Sequence, residues 1–221
     1  MRRLAGIADK PFDAAGETAS TLQALKKETL PVLDKAQAGP MEEKILEAKN
    51  DLDSVGGVIE CMALHLPVGL GEPYFDSVES TLSQLLFSIP AVKGVEFGDG
   101  FSLAGMRGSE ANDPMTIKGD KVVTTTNRNG GILGGLTTGM PLLFRVVVKP
   151  TASIYQPQHT VNIKTHEETI LEIKGRHDPC IVPRAAIVQT CAAALAVGDL
   201  LTARYGTAWM ERPTSYRREG L

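Results

Sequence analysis

The sequence lacks a charge excess of either sign, paired cysteines, and an apolar run long enough to span a bilayer. Its 221 residues carry 23 Lys and Arg against 26 Asp and Glu, so the net charge at pH 7 is −3. Proteins that bind nucleic acid carry a basic footprint, and this chain has only a few basic pairs near its termini, such as Arg2-Arg3. We therefore expect no nucleic-acid partner.

The cysteines and apolar runs argue against several further classes. Cys61, Cys180 and Cys191 are odd in number, with no spacing typical of a metal site or a disulfide framework. The first residues show no signal-peptide pattern, and the longest uncharged apolar stretch, 185–198, is too short to cross a membrane. These absences predict a reduced, cytoplasmic protein with no metal and no membrane partner.

The apolar pattern predicts helices and strands in one domain that spans 1–221. Residues 185–204 form a predicted helix that is apolar nearly all round at its start. We expect it in the middle of a core, covered on more than one side. The mixture of elements predicts an α+β fold with strands packed on helices. The other predicted helices are 39–52 and 76–89, and the second begins with a capping box of Asp76 and Glu79. The predicted strands are 55–66, 92–97, 142–148, 160–163 and 168–173. Residues 107–120 are predicted to form an exposed excursion.

A glycine cluster, NRNGGILGG at 127–135, lies just before the strand predicted at 142–148. Four glycines in six residues let the backbone approach a ligand closely and turn its N–H groups towards an anion. The cluster matches neither the GxxxxGK[ST] nor the GxGxxG phosphate-binding loop. A tight turn with a β-bulge is the alternative interpretation.

Two polar segments follow the same predicted strand. Lys149–Ser153 offers a lysine, two hydroxyls and a proline-stiffened backbone to phosphate or carboxylate oxygens; the alternative is a polar strand end. Within 174–180, Asp178 lies beside His177 and Arg176, and a partly desolvated carboxyl group suits acid–base chemistry. A cluster of charges where a helix begins is the alternative. The segment 90–101 is a weaker candidate.

Six segments, in one order along the chain, resemble the chorismate synthase family. The resemblance covers almost the whole chain and implies a layered β-α-β sandwich of antiparallel sheets and helices that assembles as a tetramer. The segments are GLGEP (69–73), AVKGVEFGDGF (91–101), RGS (107–109), NGGILGG (129–135), VVVKPTASI (146–154) and GRHDPCIVPRA (175–185).

The resemblance also implies a reaction. It is the 1,4-anti elimination of phosphate from 5-enolpyruvylshikimate 3-phosphate, which gives chorismate in the shikimate pathway to aromatic amino acids. Reduced FMN is the implied cofactor, thought to lend an electron transiently so that no net oxidation occurs. NADPH is a candidate reductant for the flavin.

Site residues are implied position by position. Asp178 matches the proposed proton acceptor of the family. Pro90 replaces a residue that is usually polar in the family, so only a backbone or packing contact is expected there. The implied FMN contacts are Pro90, Ala91, Gly134, Lys149, Pro150, Thr151, Ala152, Ser153 and Arg176.

The chain also lacks motifs that the family carries in its N-terminal portion. No GRSSARET-like segment is present, and His65, His159 and His166 match no catalytic histidine motif of the family. We therefore expect a chain that is incomplete, inactive alone and dependent on a complementing N-terminal half. Two alternatives stay open: a non-catalytic flavin- or phosphate-binding module, and a structural remnant that binds nothing.

Overall fold

The fold is taken from a computed structural model that describes residues 1–14, 16 and 18–211. The last ten residues of the predicted domain lie outside that range. The helices are α1 Ala19–Leu25, α2 Ala38–Asn50, α3 Val78–Phe87, α4 Gly108–Ala111, α5 Val182–Tyr205 and α6 Ala208–Glu211. The strands are β1 Arg3–Leu4, β2 Ile7–Ala8, β3 Gly57–Ala63, β4 Val92–Phe97, β5 Met115–Lys118, β6 Lys121–Thr124, β7 Ile132–Leu133, β8 Leu136–Thr137, β9 Leu142–Val148, β10 Gln158–Asn162 and β11 Glu167–Leu171.

An antiparallel five-stranded sheet with the order β2-β1-β3-β9-β4 forms the centre of the molecule. Strand β9, which lies between β3 and β4, has the mostly apolar sequence LLFRVVV, and alternate side chains from Leu142 to Val148 are buried on one face. On the other face Arg145 pairs with Glu60 at 2.5 Å and with Glu96 at 3.0 Å. This ion-pair triad satisfies the charges that the middle of the sheet would otherwise leave unpaired.

Helices α3 and α5 cover the buried face of the sheet. Leu82 and Leu86 of α3 pack with Phe144 of β9 and with Ala196 of α5 in one apolar cluster. A second cluster, built from the N-terminal strands, α2 and the first turn of α5, continues the same layer along β3 and β9. Helices on an antiparallel sheet give the α+β class, which confirms the predicted class.

Most element predictions are confirmed, with shifted ends. Strands β4 and β9 have the predicted bounds, and β3, α2 and the β10–β11 hairpin lie within a few residues of theirs. Helix α3 is capped by Ser77, whose hydroxyl accepts a hydrogen bond from the Ser80 N–H, so the capping box predicted at Asp76 is wrong by one position. The excursion predicted over 107–120 contains α4 and the start of the exposed β5–β6 hairpin.

Helix α5 departs most from its prediction. Val182, Gln189, Ala196 and Leu200 face the core. The opposite side is open, with Ile187 exposed to 55%, Val188 to 48% and Leu195 to 68%. The predicted cover on more than one side is therefore wrong for the described residues, because the sheet, α3 and the short α6 pack against this helix and leave its outer side open.

The same helix exceeds the 14-residue apolar stretch considered in the sequence. At 24 residues, and with a mean hydropathy of 1.6 over an 18-residue window, α5 is long and apolar enough to cross a membrane. Core helices of soluble proteins satisfy the same two criteria, so length and composition alone are weak evidence for a membrane span.

Candidate functional site

Several predicted site residues meet where β9 ends. The last residue of β9, Val148, pairs with Gly57 of β3 on one side and with Val92 of β4 on the other. The chain then continues into Lys149–Ser153, which we call the KPTAS segment. The Lys149 N–H donates to the Ala91 carbonyl at 2.9 Å, so β-sheet register brings Ala91 and the KPTAS segment together.

Ala91 adopts a backbone conformation that favours glycine, with φ at 72°. A non-glycine residue in the left-handed region is strained and persists where its surroundings fix it. Here the fixing contacts are the bond from Lys149 and the start of β4 at Val92, whose N–H donates to the Ile89 carbonyl at 3.3 Å. Pro90 is exposed and precedes this strained residue, and the carbonyl of Ala91 is the backbone group that contacts the KPTAS segment.

The segment before α5 approaches the same end of the sheet. The Val55 N–H donates to the Pro179 carbonyl at 2.8 Å, which places the residues around Asp178 next to the start of β3. Asp178 Oδ1 accepts a hydrogen bond from the Cys180 N–H at 3.2 Å, and Oδ2 accepts one from Arg184 Nη2. The carboxylate is thereby held in one orientation by an N–H group and a guanidinium group.

The histidine beside this carboxylate faces elsewhere. The His177 imidazole lies 3.0 Å from the Ile173 carbonyl through Nε2, and its ring makes an edge contact with Tyr155 at 4.3 Å between centroids. Arg184, in the first turn of α5, is therefore the direct side-chain partner of Asp178, and His177, its neighbour in the sequence, is not. Cys180 is buried.

This end of the sheet offers unpaired donors to an anion. Lys149 and Arg176 are exposed, and neither side chain forms an ion pair with another described residue. The Thr151 hydroxyl is buried, and it too lacks a hydrogen-bond partner among residues 1–14, 16 and 18–211. A buried hydroxyl without a partner is costly, whereas a bound phosphate oxygen would satisfy it. The residues thus fit the phosphate of a nucleotide-like cofactor.

Gly134 lies at the opposite end of the same strand. The glycine loop, residues 127–135, leads towards the start of β9, where the Leu143 N–H donates to the Gly130 carbonyl at 3.0 Å. The Gly135 carbonyl accepts from the first residue of α3, Val78, at 3.0 Å. Strand β9 has seven residues, a length of about 20 Å. The structure therefore separates Gly134 from the other predicted cofactor residues.

Close backbone packing explains part of the glycine loop. A Cβ added at Gly98 would lie 2.0 Å from the Arg128 carbonyl, and one at Gly130 would lie 2.5 Å from the Leu143 carbonyl. The tight-turn interpretation accounts for these glycines. Gly134 differs, because its φ is 58° and a Cβ there would meet nothing within 4 Å. Open space at this position is what a ligand-facing glycine needs.

The sequence of this chain is similar to sequences of known proteins. The family model described as "Chorismate synthase" matches residues 6–202. This chain belongs to the chorismate synthase family. A chorismate synthase from Dehalococcoides mccartyi is 55% identical over 156 residues, which cover 71% of this chain and 43% of that protein. One from Thermococcus kodakarensis is 51% identical over 169 residues, covering 76% and 47%.

A solved structure of a chorismate synthase gives the same result. It superposes with a TM-score of 0.68 at 28% sequence identity, covering 85% of this chain and 49% of the other. The fold predicted from the resemblance is therefore confirmed. The described residues supply one five-stranded sheet of it and the helices on one face. The chain spans about half the length of the curated chorismate synthases that it matches.

A groove of 460 Å³ runs beside β3, away from the predicted cofactor residues. Strand β1 pairs only with Gly57 and Val58 of β3. Because backbone groups alternate along a strand, those of Glu60 and Met62 point to the same side as Val58. No backbone hydrogen bond to them is found in the described part of the chain. The groove continues across the exposed side of α5, so this chain presents an open strand edge next to an apolar helix.

Sequence reasoning missed one carboxylate near the glycine loop. Asp113 lies in the predicted excursion, yet its carboxylate accepts four hydrogen bonds from residues 126–129. An aspartate followed by proline, fourteen residues before a glycine cluster, is too common a pattern to single out. The contact depends on the β5–β6 hairpin, which folds 126–129 back onto Asp113.

Proposed function

We propose that this chain supplies the cofactor-phosphate site and the proton acceptor of a chorismate synthase. The reaction is the elimination of phosphate from 5-enolpyruvylshikimate 3-phosphate with reduced FMN as cofactor. The observation that carries the proposal is the placement of Lys149 beside Ala91, two residues before a buried Thr151 hydroxyl that has no hydrogen-bond partner among the described residues, in a chain of this family.

The KPTAS segment and its neighbours would hold the cofactor. Lys149 and Arg176 provide positive charge, and the hydroxyls of Thr151 and Ser153 provide donors for phosphate oxygens. Pro150 and Ala152 shape the segment, in which the Ala152 carbonyl accepts from Gln158 Nε2 at 3.2 Å and the Thr151 carbonyl from Ser54 Oγ at 2.7 Å. Reduced FMN, when bound, supplies an electron transiently to help phosphate leave, and NADPH is its proposed source of reducing equivalents.

Asp178 is the proposed proton acceptor. A general base must hold a free lone pair in a fixed direction towards the proton that it removes. Arg184 and the Cys180 N–H each occupy one side of the carboxylate, which fixes its plane and leaves the remaining lone pairs open. The side chain of Asp178 is about one-third exposed, so a substrate or cofactor atom has access to it.

A complementing half of the family chain is the proposed partner. The substrate carries a phosphate and two carboxylates, and Lys149 and Arg176 are too few to balance them. The open β3 edge and the apolar stripe of Ile187, Val188 and Leu195 give that half a place to dock. A strand added at Glu60–Met62 would pair the free backbone groups of this edge.

A homo-oligomer, a tetramer as in the family, is the proposed assembly. A flavin held by its phosphate at the KPTAS segment would have to extend along all of β9 to contact Gly134 of the same chain. We therefore assign Gly134 to the cofactor held by a neighbouring copy. We further propose that 1–221 is one domain, since both apolar clusters lie on one sheet, and that the protein is cytoplasmic.

Anaerobic phosphate release tests the proposal directly. The chain, chemically reduced FMN and 5-enolpyruvylshikimate 3-phosphate are mixed with and without the N-terminal portion of the Dehalococcoides mccartyi relative. We expect no turnover by the chain alone and turnover with the added portion. Turnover by the chain alone would show that no complementing half is required.

Two other outcomes would favour the alternatives. Flavin binding without turnover in the complemented mixture would support a non-catalytic flavin-binding module. Absence of both would support a structural remnant.

Docking is followed independently through Cys191, which is exposed on the outer side of α5. Burial raises the pKa of the Cys61 thiol to about 12, so a thiol reagent at neutral pH modifies Cys191 first. The complementing half should protect Cys191.

A further inference from the structure

Asp113 lies between α4 and β5 and gathers the start of the glycine loop around its carboxylate. Oδ1 accepts hydrogen bonds from Thr126 Oγ1 at 2.7 Å and from the Arg128 N–H at 2.8 Å. Oδ2 accepts from the N–H and the side-chain amide of Asn129, both at 2.9 Å. Four donors fill most of the acceptor capacity of one carboxylate. Residues 126–129 are therefore fixed to a single point.

Residues 126–129 are also hydrogen-bonded to the chain just after β4 and just before β9. The Arg128 carbonyl accepts from the Asp99 N–H at 2.7 Å, just after β4. Asn127 Nδ2 donates to the Pro141 carbonyl at 2.8 Å, just before β9. Gly130 follows, and its carbonyl accepts from Leu143 of β9. Asp113 thus sets the first half of the loop against the end of β4 and the start of β9.

The second half of the loop is fixed by its own backbone. The Thr137 N–H donates to the Leu70 carbonyl at 3.0 Å, and Val78 donates to the Gly135 carbonyl. Gly134 lies between these two fixed halves, at the turn of the β7–β8 hairpin, with open space beside its Cα. A shift of 126–129 would therefore be passed to Gly134, because little chain separates them.

The carboxylate of Asp113 is charged when it makes these contacts. Burial raises the pKa of this group, but the hydrogen bonds from Thr126, Asn129 and Arg128 outweigh burial, and the pKa is lowered overall. The nearby Arg128 side chain pairs with Asp99 at 3.0 Å. The four donors are thus the main partners of the charge, and charge-assisted bonds of this kind are stronger than neutral ones.

We propose that Asp113 is a positioning residue for the cofactor site, which fixes the glycine loop so that Gly134 presents its backbone to the flavin. This role rests on the proposed function, because it needs Gly134 to face a flavin. Asp113 itself touches neither cofactor nor substrate. A misplaced Gly134 weakens flavin binding without removing any group that contacts the flavin.

The test compares Asp113→Asn with Asp9→Asn in the complemented protein. Asp9 is a matched control because its carboxylate also accepts backbone N–H bonds, from Lys10, Leu33 and Asp34, in the N-terminal cluster far from the glycine loop. The affinity for FMN is measured by fluorescence quenching and the melting temperature by circular dichroism. Asp113→Asn should weaken FMN binding about tenfold, the effect of one lost charge-assisted bond. Asp9→Asn should lower the melting temperature but change FMN affinity by less than about twofold.

Thr126→Val provides a second variant in case Asp113→Asn does not fold. It removes one of the four bonds with little change of shape, and should weaken FMN binding about threefold. Equal FMN affinity in Asp113→Asn, Thr126→Val and wild type would overturn the inference while leaving the proposed function intact. An equal loss of affinity in Asp9→Asn would also overturn it, since general destabilisation would then explain the effect. If the wild type binds no flavin, the proposed function fails first.

Discussion

The two ends of β9 are built in opposite ways. At the start of the strand, the glycine loop packs backbone against backbone, with Asp113 and Asn127 joining it to its neighbours. At the end of the strand, Lys149 lacks an ion-pair partner among the described residues. The Thr151 hydroxyl is buried and has no hydrogen-bond partner among them, and Ala91 is held at a positive φ.

The difference shows which interactions the chain makes for itself. The closed end, apart from the open space at Gly134, is complete without a ligand, so its geometry is set when the chain folds. The open end keeps a strained residue, Ala91, and hydrogen-bond donors that have no partner. A bound anion would accept hydrogen bonds from these donors, and a ligand stabilises the state that binds it. Substitutions at the closed end should therefore act first on stability, and substitutions at the open end on binding and turnover.

The largest effect is expected at Asp178, on the open end. Asp178→Asn keeps the shape of the side chain but removes the proposed proton acceptor. Turnover by the complemented protein should fall about a thousandfold, within the range for general-base removal, while FMN affinity changes little. Stopped-flow measurement of chorismate formation and an FMN titration give the two values. Asp120→Asn, in the exposed β5–β6 turn, is the matched control; unchanged turnover in Asp178→Asn would remove Asp178 from the mechanism.

The next largest effect is expected at the closed end, in stability. Gly98 and Gly134 have nearly the same φ, 57° and 58°, but only at Gly98 would a Cβ collide with backbone. Gly98→Ala should lower the free energy of unfolding by about 3 kcal/mol and Gly134→Ala by about 1 kcal/mol. Urea unfolding measures both values. The order of the two variants should reverse for FMN affinity, because a methyl group at Gly134 enters open space assigned to the cofactor.

A smaller effect is expected when one charge is removed from the open end. Lys149→Ala should weaken FMN binding about tenfold, with a weaker dependence on salt, and leave the melting temperature nearly unchanged. Lys93→Ala removes an equally exposed charge from β4 and is the control. Equal losses of affinity in both variants would show that the net charge of the protein, rather than the KPTAS segment, attracts the phosphate.

The sequence predicted the positions of the helices and strands better than the contacts between them. Strands β4 and β9 follow from short segments rich in β-branched and apolar residues, VKGVEF and LLFRVVV. The start of helix α5 is apolar nearly all round, but composition does not show which of its sides are covered by other parts of this chain. The meeting of Ala91 with the KPTAS segment depends on the register that pairs Val92 with Val148, and a register is a long-range property.

The prediction of the site shows the same division between residue types, which the sequence identifies, and their positions in space, which it does not. Segments that resemble the family identify residue types for the cofactor, yet they do not place Gly134 a strand length from Lys149. They also pass over Asp113 and Arg184, whose roles are visible only through their hydrogen bonds. Residues that contact a ligand are more readily found from motifs than residues that hold other residues in place.

The smallest expected effect is a loosening of the closed end in acid. The pKa of Asp113 is lowered in the folded protein, so its contribution to stability is present at neutral pH and is lost as the pH falls through the lowered value, below the ordinary 3.8. Amide hydrogen exchange of Arg128 and Asn129 should accelerate in this window, while that of Lys149, bonded to Ala91, should not. In Asp113→Asn the exchange at 128–129 should be fast at every pH. Equal acceleration at both ends in the wild type would mean that acid unfolds the whole sheet and that the carboxylate makes no separate contribution.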